Sequence, residues 1–286
     1  MSDRMRPLLA ISVCILALAA SCSHTPQAVQ QTQAPPAHSK ASFIVEQSAV
    51  RPGSQVNLGI KFQTDAGWHI YWKNPGDSGE PPRIQWRLPA GLTAGALQWP
   101  LPARLKNPAG TDYGYEGTAV LLTTLNIPAT AQPGNTIEVS GDLRWLVCHD
   151  ICVPQRSQLS APVRIANETG VDPAARLLLQ SAAERVPKPL PARFHPGVTS
   201  SRDSFQLALV SAEPIRQAEF FPEEPEQIEN GASQKLASHS GLFSLTLKKA
   251  ENLQRDPQHL KGVIVINGTE AYELDAPVRP ATWKGR

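Results

Sequence analysis

The sequence predicts an all-β protein made of two tandem β-sandwiches that a short helix joins. Apolar residues recur at every second position in many short segments, which is the period of a half-buried strand. Glycine and proline separate these segments, and 27 of the 286 residues are proline, a density that cuts helices short. Several short strands with turn signals between them favour antiparallel sandwiches over a helical bundle or a coiled coil.

Residues 1–21 are expected to form an export signal peptide. Arg4 and Arg6 precede an apolar run over 8–20, which is shorter than the ~20 residues of a membrane-spanning helix. Small residues stand directly before Cys22, as in the cleavage box of bacterial lipoproteins. We therefore predict a lipid on Cys22, with ordinary signal cleavage near the same place as the alternative. Ser23 then favours the outer membrane.

A flexible tether is expected over 22–41, followed by the first sandwich over 42–166. The tether lacks apolar periodicity and is rich in glutamine and proline. No later stretch is apolar enough to cross a membrane, so the lipid is the expected membrane contact. The strands of the first sandwich are marked by alternating apolar residues: Val56-Leu58-Ile60-Phe62, Trp68-Ile70-Trp72, Ile84-Trp86-Leu88, Ile137-Val139, Leu143-Trp145-Val147 and Leu159-Ala161-Val163-Ile165.

A helical connector is expected over 167–192, and a second, smaller sandwich over 193–280. Asp172 suits the N-cap and Pro173 the first helical position, and the helix should end near Arg185, before two prolines. Strand patterns then resume, at Phe205-Leu207-Leu209, Phe243-Leu245-Leu247, Val263-Val265 and Tyr272-Leu274.

The net charge argues against a nucleic-acid-binding protein, and the histidines stand too far apart in the sequence to suggest a metal cluster. A formal net charge of +2 gives no basic field for nucleic acid. No cofactor motif is evident, and no metal site is predicted. Gly76-Asp77-Ser78-Gly79 copies the tetrapeptide around a serine-protease nucleophile, but the same residues are ordinary turn formers.

Cys148 and Cys152 are the candidate reactive residues. A straight strand would separate them by ~13 Å, whereas bonded cysteines need Cα atoms within about 7 Å. A turn at residues 149–151 would place them on facing hairpin strands, and we predict this hairpin. A disulfide that closes so short a loop stabilises little, but it suits a redox couple. His149 would favour a Cys148 thiolate if protonated, and Asp150 would oppose it.

Three interpretations of this pair stay open. The first is a redox-active pair in an exported protein, in which one thiol resolves a mixed disulfide formed by the other. The second is a structural disulfide in a non-catalytic binding module of the cell envelope. The third is a copper-binding protein, since Cys148, His149 and Cys152 are ligands of the kind that Cu(I) prefers.

The cysteine segment, Trp145-Leu146-Val147-Cys148-His149-Asp150-Ile151-Cys152-Val153-Pro154, resembles the redox hairpin in the N-terminal periplasmic domain of DsbD/ScsB-type thiol–disulfide interchange proteins. Residues 67–76 resemble the aromatic strand of this family, and 111–117 its cap loop, which shields the cysteines. Residues 193–280 are similar to the second β domain of the ScsB branch.

The resemblance implies immunoglobulin-like sandwiches and a disulfide exchanged with a thioredoxin-like periplasmic protein or a membrane electron carrier. It implies that Cys152 meets the partner and that Cys148 resolves. It also implies cap-loop shielding by Asp112, Tyr113, Gly114 and Tyr115, although Asp112 stands where the family has phenylalanine. ScsB-type relatives suggest a link to copper tolerance. Whether the chain is a protein-disulfide reductase or a relay component stays open.

Overall fold

The computed structural model describes residues 37–108 and 110–281, and the expected fold class is confirmed. Within this part, the N-terminal sandwich contains β1 (Ser39–Val45), β2 (Ala49–Val50), β3 (Gln55–Thr64), β4 (His69–Gly76), β5 (Arg83–Arg87), β6 (Thr93–Ala94), β7 (Ala103–Asn107), β8 (Gly110–Glu116), β9 (Thr118–Asn126), β10 (Thr136–Cys148) and β11 (Cys152–Ile165). The expected signal peptide and lipidation site, including Cys22, lie outside the described residues.

Two sheets form the N-terminal sandwich. One has the order β1-β3-β9-β6, and the other has the order β2-β11-β10-β4-β8-β7, with β5 added beside β10. Their facing sides enclose a core of aliphatic and aromatic side chains, including Phe62, Trp72 and Trp145. These core side chains lie on one side of the second sheet. The side chains that β4, β8 and β10 present on the other side of this sheet are a separate set.

The first strand begins earlier than the sequence pattern suggested. The expected tether extended to residue 41, but β1 starts at Ser39 and pairs with β3 from its first residue. Ser39 is buried because its hydroxyl accepts a 2.8 Å hydrogen bond from the indole Nε1 of Trp145. A tertiary hydrogen bond therefore orders a segment whose composition alone resembles a linker.

The connector contains the helix that the sequence predicted, α1 (Pro173–Glu184). The Asp172 carboxylate caps it by accepting hydrogen bonds from the backbone N–H groups of Ala174 and Ala175. Leu179 and Ala182 are buried against Val120 and Leu122 of β9, so the helix covers the outer side of the first sheet. No helix in the described ranges is long and apolar enough to span a membrane.

The C-terminal sandwich is one eight-stranded sheet that curls around its own core, with the order β15-β18-β19-β13-β14-β17-β16 and β12 beside β19. A 3₁₀ turn at Ala192–Phe194 leads into it. Its strands are β12 (Lys188–Pro189), β13 (Gly197–Ser200), β14 (Ser204–Val210), β15 (Ala218–Pro222), β16 (Lys235–His239), β17 (Leu242–Lys248), β18 (His259–Ile266) and β19 (Glu270–Pro280).

The two sandwiches share apolar and polar contacts. Phe221, Val263 and Val265 leave the C-terminal core and join the core cluster of the N-terminal sandwich. The Phe221 ring packs edge-on against Tyr113, with centroids 5.4 Å apart. The Arg104 guanidinium lies over the Phe221 ring and pairs with Glu219 at 2.6 Å. Strands β7 and β8 thereby contact the second sandwich through Arg104 and Tyr113.

Candidate functional site

The two cysteines end the facing strands of the hairpin, as predicted. Strands β10 and β11 pair from Thr136 to Cys148, and Cys148 lies directly opposite Cys152 in the last pair of the register. Their Cα atoms are 4.2 Å apart and the two sulfurs are bonded. The backbone reverses over residues 149–151, where the His149 N–H donates to the carbonyl of Ile151. The hairpin prediction is confirmed.

The two halves of the disulfide differ sharply in exposure. Cys148 is 2% exposed, whereas Cys152 is an exposed residue. Beside it, Ile151 at the turn is 66% exposed, an unusual position for a large apolar side chain. Cys152 is therefore open to an approaching sulfur atom, whereas burial shields Cys148.

The disulfide lies on the side of the second sheet that faces away from the core. Successive residues of a strand point to opposite sides, and Val147 and Val153 point into the core cluster. Cys148 and Cys152 therefore point the other way, and so does His69, which is opposite Cys148 on β4. One row of side chains across three strands contains both cysteines and a buried histidine.

Tyr71, two residues after His69, contacts the exposed cysteine. Its hydroxyl lies 3.6 Å from Cys152 Sγ, within reach of a hydrogen bond to sulfur. The Tyr71 side chain is fully buried, and burial raises its pKa above the ordinary value for tyrosine. The phenol therefore stays protonated at neutral pH, and its O–H can donate a hydrogen bond to a thiolate on Cys152.

A glycine in the adjacent loop makes room for the Tyr71 ring. Gly79 has a φ of +79°, and a Cβ placed there would lie 2.0 Å from Tyr71 Cζ. Only glycine combines this left-handed conformation with so close an approach. The turn-forming segment 74–79 therefore packs against the Tyr71 ring and keeps it beside the disulfide.

Replacing Tyr71 with phenylalanine should slow the reaction of reduced Cys152 with iodoacetamide by about tenfold at neutral pH. A hydrogen bond to a charged group contributes about 1.5–3 kcal/mol, and the variant removes the donor while keeping the ring. Alkylation at Cys152 is followed by mass spectrometry of peptides. Tyr115→Phe is the matched control because the Tyr115 hydroxyl donates to the Pro100 carbonyl instead. Equal slowing in both variants would contradict the assignment.

Asp112 is the buried carboxylate of this pocket. It is 1% exposed and accepts hydrogen bonds from the backbone N–H and hydroxyl of Ser78 and from the Asn107 amide. Its Oδ2 atom lies 3.6 Å from His69 Nε2. Because these donors fix the carboxyl group in place, Asp112 holds an oxygen beside the histidine that neighbours the disulfide.

Residues 111–117, expected to form a cap loop, lie mostly in a strand, and shielding of the cysteines by these residues remains a prediction. Residues Gly110–Glu116 form the buried strand β8, because they pair with both β4 and β7. Tyr113 and Tyr115 point into the core, and their hydroxyls donate to Asn230 and to the Pro100 carbonyl. At Gly114, a Cβ would lie 2.2 Å from the Ile70 carbonyl, so this residue serves close strand packing.

His149 and Asp150 lie at the exposed turn. The His149 Nδ1 atom lies 2.9 Å from the Asp150 carboxylate, and the His149 ring lies beside Trp68, with centroids 5.9 Å apart. His149 thus projects toward solvent, on the rim of the site rather than inside the pocket. An influence of this pair on Cys148 remains a prediction.

The C-terminal sandwich reaches the loop that shapes the pocket. The Asn230 amide donates to Asp77 Oδ1 at 2.7 Å, and the other Asp77 oxygen accepts from the Thr111 N–H at 2.7 Å. The Asn74 amide donates to the carbonyl of Pro222 at 2.9 Å. The second sandwich therefore fixes the loop beside the disulfide site through hydrogen bonds that are buried or partly buried.

His69, Tyr71 and Asn230 belong to the site but were not predicted from the sequence. The segment 67–76 showed apolar alternation and a resemblance to an aromatic strand, and neither observation gave a role to His69 or Tyr71. Strand β4 is buried on both sides. The only available signal was that the positions between the alternating apolar residues hold histidine and tyrosine, which combine an apolar ring with a polar atom.

No group of three or more histidine, cysteine, aspartate or glutamate side chains within 37–108 and 110–281 is arranged to hold a metal ion.

Residues 39–164 match the family "Thiol:disulfide interchange protein DsbD, N-terminal". The N-terminal periplasmic domain of ScsB from Proteus mirabilis has a similar fold, with a TM-score of 0.66 and 16% identity over 86% of this chain and 96% of that domain. The reduced DsbD N-terminal domain of Neisseria meningitidis is 12% identical over 46% of this chain and 90% of its own, with a TM-score of 0.26. No curated protein sequence matches the chain. The resemblance seen in the cysteine segment is confirmed.

Proposed function

We propose that this protein exchanges disulfides with a thioredoxin-like partner through Cys148 and Cys152. The observation that carries the proposal is the unequal exposure of one bonded pair at the tip of a hairpin. An exposed Cys152 forms the mixed disulfide, and a buried Cys148 resolves it, so two electrons pass between the partner and the pair. The family match over 39–164 supports this chemistry.

The rival function is a binding module with a structural disulfide. Two features favour the redox function over it. The bond closes a loop of only a few residues, so it adds little stability by restricting the unfolded chain. The surrounding pocket also contains a phenol, a carboxylate and an imidazole, which a bond with a purely structural role does not require.

The proposed location is the periplasm, with a lipid on Cys22 as the membrane anchor and the outer membrane as the destination. Support comes from the export signal pattern at 1–21 and from the solved ScsB relative, which is a periplasmic domain. A protein in this oxidising compartment would need a thioredoxin-like protein or a membrane electron carrier to renew its thiols.

A redox titration of the protein against glutathione or dithiothreitol buffers tests the proposed function. We expect a reduction potential above about −300 mV, because structural disulfides of secreted proteins usually lie below that value. The state of the pair is measured by alkylation and mass spectrometry after acid quenching. A potential below about −300 mV would favour the binding module instead.

A further inference from the structure

We propose that His69 is the base that removes the proton from Cys148 when this buried cysteine resolves a mixed disulfide. The inference rests on the proposed function and assigns a proton-transfer residue within it. It starts from one observation: His69 is 6% exposed, and its Nε2 atom has no hydrogen-bond partner among the described residues. A buried polar atom without a partner costs free energy and calls for a functional reason.

The position of His69 supplies the first argument. It is directly opposite Cys148 in the register of β4 and β10. Directly opposite residues of an antiparallel pair project to the same side of the sheet, with Cβ atoms about 4.5–5.5 Å apart. Since Cys148 is shielded from solvent, its thiol cannot give its proton readily to water. The imidazole is the base that the fold places beside it.

The environment of His69 supplies the second argument. Asp112 faces the ring from β8, with its Oδ2 atom 3.6 Å from Nε2, and Tyr71 faces it from β4 with ring centroids 5.1 Å apart. Glu116, opposite His69 in the β8 register, is exposed. The fixed Asp112 carboxylate favours a proton on Nε2, which leaves Nδ1 as the nitrogen that accepts the second proton. The same carboxylate stabilises the imidazolium that forms.

In the mixed disulfide, Cys152 Sγ is bonded to the partner sulfur and Cys148 is a thiol. The proton of Cys148 passes to His69, and the resulting thiolate attacks Cys152 Sγ. The Cys148–Cys152 bond forms, the bond between Cys152 and the partner breaks, and the electron pair leaves on the partner sulfur. The imidazolium then returns its proton to this leaving thiolate or to solvent. The reverse reaction uses His69 as the acid.

The test separates the two steps with dithionitrobenzoate as the partner. In a Cys14→Ser, Cys22→Ser background, which leaves only the pair, reduced protein releases one thionitrobenzoate when Cys152 attacks the reagent and a second when Cys148 resolves the adduct. Both appear as yellow absorbance in a stopped-flow instrument. For His69→Gln we expect an unchanged first phase and a second phase about 10²-fold slower near pH 7, the lower end of the usual range for general base catalysis. His149→Gln is the matched control, because its ring lies at the exposed turn, and its second phase should keep the native rate.

The pH dependence distinguishes proton transfer from a structural role. Above about pH 9, hydroxide becomes abundant enough to compete as the base, so the deficit of His69→Gln should shrink there. A deficit that persists at high pH, or equal second phases near pH 7, overturns the proposal. If His69→Gln does not fold, His69→Asn is the second variant, because asparagine is also neutral and cannot act as a base. It should show the same slow second phase near pH 7, and a native rate in this variant overturns the assignment. The redox titration of the native protein is measured separately from the rate of the second phase. His69 can therefore be excluded as the base while the proposed function stands.

Discussion

Replacing Cys148 with serine is expected to turn the protein into a trap that keeps one partner molecule bound through Cys152. The exposed Cys152 still attacks a disulfide, but the sulfur that would release the partner is gone. With oxidised glutathione as the probe, mass spectrometry should show one glutathione on almost every molecule of Cys148→Ser in a Cys14→Ser, Cys22→Ser background. With a cell-envelope extract, the same variant should hold its physiological partner in a band that reducing agent removes.

The matched variant is Cys152→Ser. This variant loses the same disulfide as Cys148→Ser, so both variants lose the same stabilisation. The cysteine of the pair that remains in it, Cys148, is 2% exposed. We expect almost no glutathione on Cys148 in the folded protein and full reaction after denaturation. Comparable adducts in the two folded variants would show that burial does not select the reacting cysteine. That outcome would remove the observation on which the proposed function depends.

Truncating Phe221 to alanine is expected to destabilise the N-terminal sandwich, although this residue belongs to the C-terminal one. Phe221 is 3% exposed and packs among core residues of the N-terminal sandwich, against Tyr113 and Arg104. Removal of a buried phenylalanine side chain usually lowers the free energy of unfolding by about 3–5 kcal/mol. Denaturant unfolding followed by tryptophan fluorescence measures the effect, since Trp68, Trp72, Trp86, Trp99 and Trp145 all lie in the N-terminal sandwich.

Two features of the design make this measurement specific. The sixth tryptophan, Trp283, lies outside the described residues, so the experiment uses a Trp283→Phe background. The control is Phe220→Ala, which deletes the same side chain one residue earlier but from the core of the C-terminal sandwich. The tryptophan signal should shift more for Phe221→Ala than for the control. Equal shifts, or an unchanged transition in Phe221→Ala, would mean that the shared cluster does not couple the two sandwiches.

Local pattern was enough to predict most of the secondary structure. The strand over Gln55–Thr64 follows from period-two alternation, and the helix over Pro173–Glu184 follows from its aspartate cap and its following prolines. The hairpin prediction combined two observations. Cysteines four positions apart on a straight strand lie too far apart to bond, and the period-two alternation beside them favours strands over a helical turn. These features depend on residues that are close together in the sequence, so they can be predicted from the sequence alone.

The start of the first strand and the conformation of 111–117 depended on distant residues. Ser39 is ordered by Trp145, more than a hundred positions away. The segment 111–117 contains two glycines and resembles a loop by composition, yet pairing with β4 and β7 on both sides makes it a strand. Backbone pairing with distant strands supplies hydrogen bonds that do not depend on the local sequence. Such pairing therefore overrides the local conformational preference of a segment.

By itself, the sequence determined the all-β class, the connector helix and the cysteine pair at a turn. Only the tertiary structure decided that Cys148 is buried and Cys152 exposed, and that His69, Tyr71 and Asp112 gather on the outer side of the second sheet. The reason is register: strands far apart in the chain are aligned residue by residue, and a shift of one position would send each of these side chains to the opposite side. The chemistry of the disulfide therefore depends on an alignment that exists only in the folded protein.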